Sequence, residues 1–460
     1  MNLSMLRQEA GELFRLGAPM VATQFFIMAM GFLDTAMAGH YSSTDLAGVA
    51  LGGNVFWPTF MLFSGLTMAL TPMVAQLRGA NRIGDAGPII RQGLWASGAA
   101  AILCVAVVTN AAPLYQWAGV DQQAADVAVR YLKAAAWGMP AVLFYVALRY
   151  TSEGLGKTLP PMLIAGSALP LNGLLNWIFI YGKFGMPAMG GEGCGWATAV
   201  VMWFELLLIL FLLRSRYFIA TGVTSQFSWP DPKILKEIVR IGLPIGLTIF
   251  LEMAVFSVVG FLVASLGVIS LAAHSIAGNV NWATYVIPMA LGSAASIRVG
   301  FFVGAGDFEQ SRKVARTAVT ISLCYAILVS VLLVVGRHSI VSIYSTDPEV
   351  LALAATLLLF IAIYQIVDDT QATIVGALRG YKDTTAPMLF SLVGYWAIAM
   401  PLGAALGFGW LGYEPWGVYG FWAGMTIGLT IVAVCVGWRL LITSRSDSRI
   451  RLLAGMQSPP

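Results

Sequence analysis

Residues 53–59 read GNVFWPT and residues 278–284 read GNVNWAT, an offset of 225 positions without a gap. The same offset pairs Arg15 with Arg240, Gly17 with Gly242, Pro19 with Pro244, Leu46-Ala47 with Leu271-Ala272, Gly79-Ala80 with Gly304-Ala305, and Arg91 with Arg316. Lys157 pairs with Lys382, and Pro161-Met162 pairs with Pro387-Met388 after one residue of slippage. An apolar chain produces Leu-for-Val coincidences by composition alone. It does not align Asn, Trp, Pro and Arg in order, so the chain is a duplication.

What was duplicated follows from composition. The 460 residues are 58% hydrophobic and 10% charged, with a mean hydropathy of +0.79. Soluble domains are about a quarter charged. Charge this sparse cannot clothe a water-facing surface, so the solvent is lipid. In lipid every backbone polar group needs an internal partner, which leaves helices or a closed barrel. The apolar runs are continuous rather than alternating, and each is long enough to cross ~30 Å of hydrocarbon at roughly 20 residues. The expectation is an all-α polytopic membrane protein of about twelve transmembrane helices, in two six-helix lobes.

The expected spans are 13–38, 48–77, 88–112, 126–150, 159–182 and 190–214 in the first copy. In the second they are 237–263, 275–303, 313–337, 349–376, 385–409 and 416–442. The expected domains are an N-terminal lobe 1–214, a cytoplasmic linker 215–236 that carries Pro230 and Pro232, a C-terminal lobe 237–442 and a cytoplasmic tail 443–460. An even span count places both termini on one side. Of the 26 basic residues, all but Arg130, Lys133, Lys183 and Arg337 then fall on or near that side. This positive-inside bias makes both termini cytoplasmic and supports the even count. Arg7 and Arg15 followed by Ala36-Met37-Ala38 imitate a cleavable leader. The apolar stretch is too long for one and carries Gln24 and Asp34, so it reads as a retained first span.

Six spans per copy give the two lobes the same polarity and a symmetry axis along the membrane normal, as in parallel-repeat transporters. A cleft between the lobes and a rocking exchange of access are the corresponding expectations. The four cysteines (Cys104, Cys194, Cys324 and Cys435) and three histidines (His40, His274 and His338) are dispersed, so neither a disulfide frame nor a zinc site is expected.

Ionisable groups within spans cost roughly 2.5–3.5 kcal/mol on insertion scales and usually face a cavity or a partner. The acids are Asp34 in the first span, Glu205 in the sixth, Glu252 in the seventh, and Asp368 with Asp369 in the tenth. Few basic residues lie deep enough to neutralise them. Glu252 lies ~18 Å along its helix from Arg240, close to mid-membrane. Tyr364, Asp368 and Gln371 share a helical face, flanked by Gln365 and Asp369. Asn281 and Tyr285 are one turn apart, as are Asn172 and Asn176, and Thr248 lies a turn before Glu252.

Such stripes offer carboxylate, amide and hydroxyl oxygens. Hard cations take oxygen ligands, and a carboxylate withdrawn from water can carry a proton near neutral pH. Sodium at Glu252, Asp368 and Asp34, or protons there, are both open; no other cofactor is expected. The remaining polar residues have plainer readings. Glu205 has no polar company. Asp369 could tie backbone or a neighbouring helix, Asn54 and Asn279 repeat as packing, His274 is structural, and Pro19 and Pro244 are kinks. Glu252 stands opposite Ile27 and Asp34 opposite Val259 at the repeat offset, so each lobe holds its own acids. The 20 methionines and 12% aromatic residues suit an adaptable pocket but are also ordinary against lipid.

The opening LGAPM with GFLDTAMAG, the stretch IGLPIGLTIFLEMAVF, LAAHSIAGNV and GALRGYKDTTAPM resemble the multidrug and toxic compound extrusion (MATE) family, NorM-type branch. The likeness runs from about residue 10 to residue 440, carried by order, spacing and topology rather than by one motif. It implies an antiporter of a bacterial inner membrane that expels cationic or zwitterionic drugs, such as fluoroquinolones and dyes, as sodium ions or protons flow inward. It also implies cation coupling at Glu252 and Asp368 with Tyr285 beside them. In the N-terminal lobe those roles fall on Asp34 with Asn172 and Asn176, and a threonine role falls on Thr198. Where some relatives have a further aspartate on the fifth span, this chain has amides, which lowers the charge of that lobe.

Other readings fit less well. A lipid-linked oligosaccharide flippase of related architecture would favour basic residues in the cleft and often extra helices. A membrane enzyme would need a motif such as HExxH, a nucleophile with its base, or a phosphate loop, and the sequence contains none. Another twelve-helix carrier would carry a basic signature between its second and third spans, which RGANRIGD matches poorly. The partners expected are small molecules and the lipid bilayer, with no nucleic acid, for a chain acting as a monomer.

Overall fold

A computed structural model describes residues 3–410, 412 and 414–456; the last four residues of the expected tail, 457–460, lie outside the described residues. The first copy comprises α1 (Leu3–Tyr41), α2 (Ser43–Met68), α3 (Leu70–Gly79), α4 (Ala86–Thr109), α5 (Ala112–Trp117), α6 (Gln122–Ala136), α7 (Met139–Gly154), α8 (Leu159–Tyr181), α9 (Gly191–Leu212) and α10 (Arg216–Ile219). The second comprises α11 (Pro232–Ala264), α12 (Val268–Gly304), α13 (Phe308–Ser342), α14 (Pro348–Gly380), α15 (Thr385–Ser391), a π-helical stretch Leu392–Ala399, α16 (Met400–Phe408), α17 (Val418–Arg445) and α18 (Asp447–Ala454). Among the described residues, eleven helices are long and apolar enough to cross a membrane, and α6 with α7 makes a twelfth if the bent pair is one span.

Two spans depart from the straight rods of the sequence reading. Expected at 126–150, the fourth is broken between α6 and α7 by a 54° bend. Pro140 has no N–H for the carbonyl of Ala136, and the Trp137 and Gly138 amides turn back to Ala134 and Ala135 instead. Gly138 is required there, because a Cβ would come within 2.6 Å of the Met202 sulfur and 2.8 Å of the Ala199 Cα on α9. The eleventh span, expected at 385–409, contains the π-helical stretch just before Pro401. Pro401 leaves a backbone acceptor unused, and the widened turns absorb the mismatch. The 225-residue offset would not reveal either feature.

The chain forms two compact units. One runs from Ala18 to Gly246; the other takes the chain up to Gly17 together with Leu247 onward. α1 and α11 therefore each change units, at positions beside the repeated Pro19 and Pro244. The Thr23 hydroxyl donates to the Pro19 carbonyl at 2.8 Å in the first of these helices. In the Ala18–Gly246 unit the start of α11 packs on α2, where Gly242 and Gly246 lie against the Leu62–Leu66 backbone with no room for a Cβ. In the other unit the start of α1 packs on α12. There Glu9 accepts from Arg298 Nη2 at 2.7 Å and from Gln310 Nε2 at 3.0 Å.

Polar segments after the last span of each copy are tied back in parallel ways. In the first unit Arg91 of α4 donates to the Gly222 and Val223 carbonyls and to the Ser228 hydroxyl, while Gln92 donates to the Trp229 carbonyl and accepts from the Asp231 amide. In the second, Arg312 at the start of α13 donates to the Ser444 carbonyl and pairs with Asp447 of α18. Helix starts are capped where the sequence changes from loop to apolar run: Ser42, Asp121, Asp307 and Asp347 each accept from an amide in the first turn.

Candidate cation sites, one in each unit

In the Ala18–Gly246 unit the structure assembles Asp34, Asn172, Asn176 and Thr198. Both asparagines point from α8 toward α1 because residues four apart share a helical face. Asn176 Nδ2 donates to Asp34 Oδ1 at 2.6 Å, Asn172 Nδ2 donates to the same oxygen at 3.2 Å, and Thr198 Oγ1 of α9 donates to Asp34 Oδ2 at 3.3 Å. Asn176 also donates to Asn172 Oδ1 at 3.1 Å. The Cys194 thiol donates to the Asp34 backbone carbonyl at 3.4 Å, fixing α9 against α1. Asn176 Oδ1 is buried without a hydrogen-bond partner. Two amide N–H groups and a hydroxyl thus converge on the Asp34 carboxylate, and the unpartnered Asn176 Oδ1 adds a neutral oxygen of the kind a hard cation takes.

The second site lies in the other unit and joins α11, α12, α14 and the π-helical stretch. Asp368 acts electrostatically on Glu252, and the Gln371 and Tyr395 side chains face the Glu252 carboxylate. Asn281 faces Asp368 from α12, and its Oδ1 is a buried acceptor without a partner. Tyr285 experiences the charges of Glu252, Asp368 and Asp369. Asp368 is buried, whereas Glu252 and Tyr285 remain partly accessible. Tyr364 belongs instead to an aromatic block, with its ring centroid 5.7 Å from that of Trp422 and 6.2 Å from that of Phe256.

Asp369 has a different environment from Asp368. Gln365 Nε2, one turn earlier on α14, donates to its Oδ1 at 2.5 Å. Its backbone carbonyl accepts from the Ser322 hydroxyl of α13 at 2.7 Å. The adjacent acids therefore meet different partners, as a 100° step between successive helical residues allows.

Two features were missed by the sequence reading. Tyr395 reaches Glu252 from the π-helical stretch, where the extra residue per turn displaces the side-chain register; the cue was Pro401, six residues on. The second is a correction. Glu205 was read as lacking polar company and the interior as nearly free of deep basic groups, yet Arg149 of α7 is 5% exposed, pairs with Glu153 at 2.8 Å and acts on Glu205. The sequence offered no period linking 149 to 205, since they lie on different helices. Arg379 likewise acts on Glu252.

A bundle of apolar spans in two units, each with carboxylates in its interior, is the architecture of a multi-pass membrane protein. The MatE family model matches residues 19–178 and 244–405, and the chain belongs to that family. Solved structures agree in fold. The crystal structure of the eukaryotic MATE transporter AtDTX14 superposes with a TM-score of 0.89 at 22% identity, over 98% of this chain and 99% of that one. The Vibrio cholerae MATE transporter VcmN in its bent form gives 0.84 at 18%, over 99% and 100%. A MOP superfamily transporter from Pyrococcus furiosus, whose binding pocket is described as having reverse polarity, gives 0.84 at 19%, over 95% and 96%.

Proposed function

We propose that this chain is a secondary active exporter that expels cationic or zwitterionic drugs in exchange for sodium ions or protons flowing inward. One observation carries the reading: each unit holds an interior carboxylate set among neutral polar side chains, Asp34 in one and Glu252 with Asp368 in the other. The coupling ion is cargo. At the first site Asp34, Asn172, Asn176 and Thr198 would receive it; at the second, Glu252 and Asp368 with Asn281 and Tyr285. Both sites contain a buried amide oxygen with no protein donor, which suits a small cation or the water that accompanies one.

A ligand shifts a conformational equilibrium only by its differential affinity for the two states. Neutralising a buried carboxylate with a proton or sodium ion removes the charge that attracts an organic cation, so ion entry and drug departure become linked. The placement of basic residues supports an orientation with both termini cytoplasmic, in what the family resemblance makes a bacterial inner membrane. A lipid-linked oligosaccharide flippase is the second reading, and acidic interior sites argue against binding its pyrophosphate.

The test is efflux of a fluorescent organic cation from proteoliposomes, with sodium and pH gradients imposed separately. The expected result is export driven by at least one gradient and lost in Glu252→Gln and Asp368→Asn at unchanged protein yield. Gradient-driven export at wild-type rates in both variants refutes the assignment; gradient-independent scrambling of a lipid-linked sugar supports the flippase.

A further inference from the structure

The connection that follows α9 and α10 reads from sequence as a cytoplasmic linker. The structure lays it along α4. Gly87, Arg91 and Trp95 recur at four-residue spacing and share one face of that helix, and residues 221–231 are bound to this face from end to end. At Gly87 a Cβ would come within 2.7 Å of the Thr221 and Gly222 carbonyl oxygens. Arg91 donates to the Gly222 and Val223 carbonyls and to the Ser228 hydroxyl. The Trp95 indole donates to the Ser228 carbonyl at 3.0 Å. Gln92 donates to the Trp229 carbonyl and accepts from the Asp231 amide, at 2.9 Å each. The strap thus runs from Gly87 to Trp95, ~12 Å along the helix axis, before the chain turns back to begin α11 at Pro232.

That direction is toward the membrane. α4 begins on the side where the basic residues gather and ends at Asn110, which is exposed. Counting the roughly 20 residues that cross the hydrocarbon back from Asn110 puts the cytoplasmic boundary near residue 90. Trp95 lies further in, ~7 Å deeper. Irregular backbone is tolerated at such a level where protein satisfies its polar groups. The α4 side chains do so for the Gly222, Val223, Ser228 and Trp229 carbonyls and for the Asp231 amide. A loop standing in water would not need them.

The side chains that the strap presents fit the same level. Phe227 and Trp229 are 70% and 77% exposed, and with Trp95 they form a row of rings whose centroids lie 6.3 and 5.4 Å apart. Tryptophan favours the headgroup layer, where its ring is apolar and its N–H finds a polar partner. Beyond the rings, Lys233 and Lys236 are exposed on the first turns of α11. From Arg214 to Arg240 five basic residues stand against two acids, Asp231 and Glu237. Aromatic rings at the boundary with an excess of positive charge on their water side complement an anionic leaflet.

We propose that residues 221–236 form a lipid-binding strap in which Phe227 and Trp229 enter the headgroup layer and Lys233 and Lys236 hold anionic phospholipid. Such an anchor is independent of what the chain exports. The attraction of an anionic surface amounts to about a fivefold preference per basic side chain.

The test places a bimane fluorophore on Phe227→Cys of the full-length protein, in a background of Cys324→Ser and Cys435→Ser, the two cysteines that are not buried. The protein is reconstituted in mixed phosphatidylglycerol and phosphatidylcholine vesicles, with the acyl chains of one lipid or the other brominated. The control label sits on Gly84→Cys, in the exposed turn before α4, where nothing lies within 4 Å of an added Cβ. The label at 227 should be quenched by brominated lipid, several-fold more by brominated phosphatidylglycerol than by brominated phosphatidylcholine. Lys233→Gln with Lys236→Gln should bring that ratio close to one. The label at 84 should respond to aqueous iodide alone. Iodide quenching without bromolipid quenching at 227 would place the strap in water and overturn the proposal. A label at 227 shielded from both quenchers overturns it too, by showing that a second copy of the chain covers the rings. Equal quenching by the two brominated lipids overturns the anionic assignment.

Discussion

Asn176 and Asp34, 142 residues apart in the chain, meet at 2.6 Å in the membrane interior, and this is the shortest side-chain contact to the Asp34 carboxylate. The other two donors stand at 3.2 and 3.3 Å. Asn176 therefore sets the position of the carboxylate, and Asn172 is held in turn by Asn176. Hydrogen bonds to charged groups contribute about 1.5–3 kcal/mol.

Replacing Asn176 with Leu keeps the volume and deletes both the donor to Asp34 and the free acceptor Oδ1. The coupling-ion concentration that gives half-maximal export should rise about ten- to a hundredfold, with yield preserved. Half-saturation at the wild-type concentration would show that the Asp34 cluster does not take the driving ion.

Tyr395 offers a finer probe of the other unit. Its ring is fixed by position, because the neighbouring Trp396 indole donates to the Leu251 carbonyl at 3.3 Å, next to Glu252 itself. Tyr395→Phe retains the ring and removes only the hydroxyl facing Glu252. Losing a hydrogen bond of that kind corresponds to about a tenfold reduction in export at a limiting gradient. The variant should leave Tm within a degree or two of wild type. A rate equal to wild type would mean that the hydroxyl only fills space.

The contrast between these two residues explains what the sequence could and could not convey. Asn172 and Asn176 are visible because a four-residue spacing places polar groups on one face of an otherwise apolar helix, and Asp34 is visible because an acid in a span is expensive. Both are local properties of a single helix. Tyr395 depends on a π-helical register, and the Glu205 cluster depends on which face of α7 packs against α9. The α6–α7 bend went unread, since the apolar run 126–150 continues through Gly138 and Pro140, and only the closeness of Ala199 and Met202 shows why the glycine is needed. The duplication, by contrast, was legible because polar and proline positions survive where apolar residues drift.

Helix packing in the second unit makes a stability prediction. Gly394, Gly403 and Gly407 face Gly428, Gly424 and Gly420 of α17 so closely that a Cβ on any of the α17 glycines would overlap backbone or side-chain atoms opposite. Small residues permit such approach where lipid supplies no hydrophobic drive. Gly424→Leu forces the helices apart and should cost about 1–3 kcal/mol or more, seen as a lower Tm and reduced monodisperse yield in detergent. Gly278→Ala is the control: nothing lies within 4 Å of its added Cβ, and alanine is the better helix former by about 1 kcal/mol. Equal Tm values for the two variants would contradict the packing argument.

The Glu9–Arg298 pair tests whether the start of α1 belongs structurally with α12. Arg298 reaches both Glu9 oxygens through Nη2, at 2.7 and 2.8 Å, with side-chain exposures of 14% and 6% for the two residues. Removing one member of such a pair strands its partner's charge and costs about 3–5 kcal/mol, while replacing both by apolar residues is often neutral. Glu9→Leu should therefore lower Tm sharply, and the double variant Glu9→Leu with Arg298→Met should recover most of the loss. The Arg298 guanidinium also lies 4.8 Å from the Phe302 ring centroid, which partly shelters the stranded cation and places Glu9→Leu toward the lower end of that range. If the double variant is as unstable as Glu9→Leu, the stabilisation comes from packing of the α1 start and not from the charge pair.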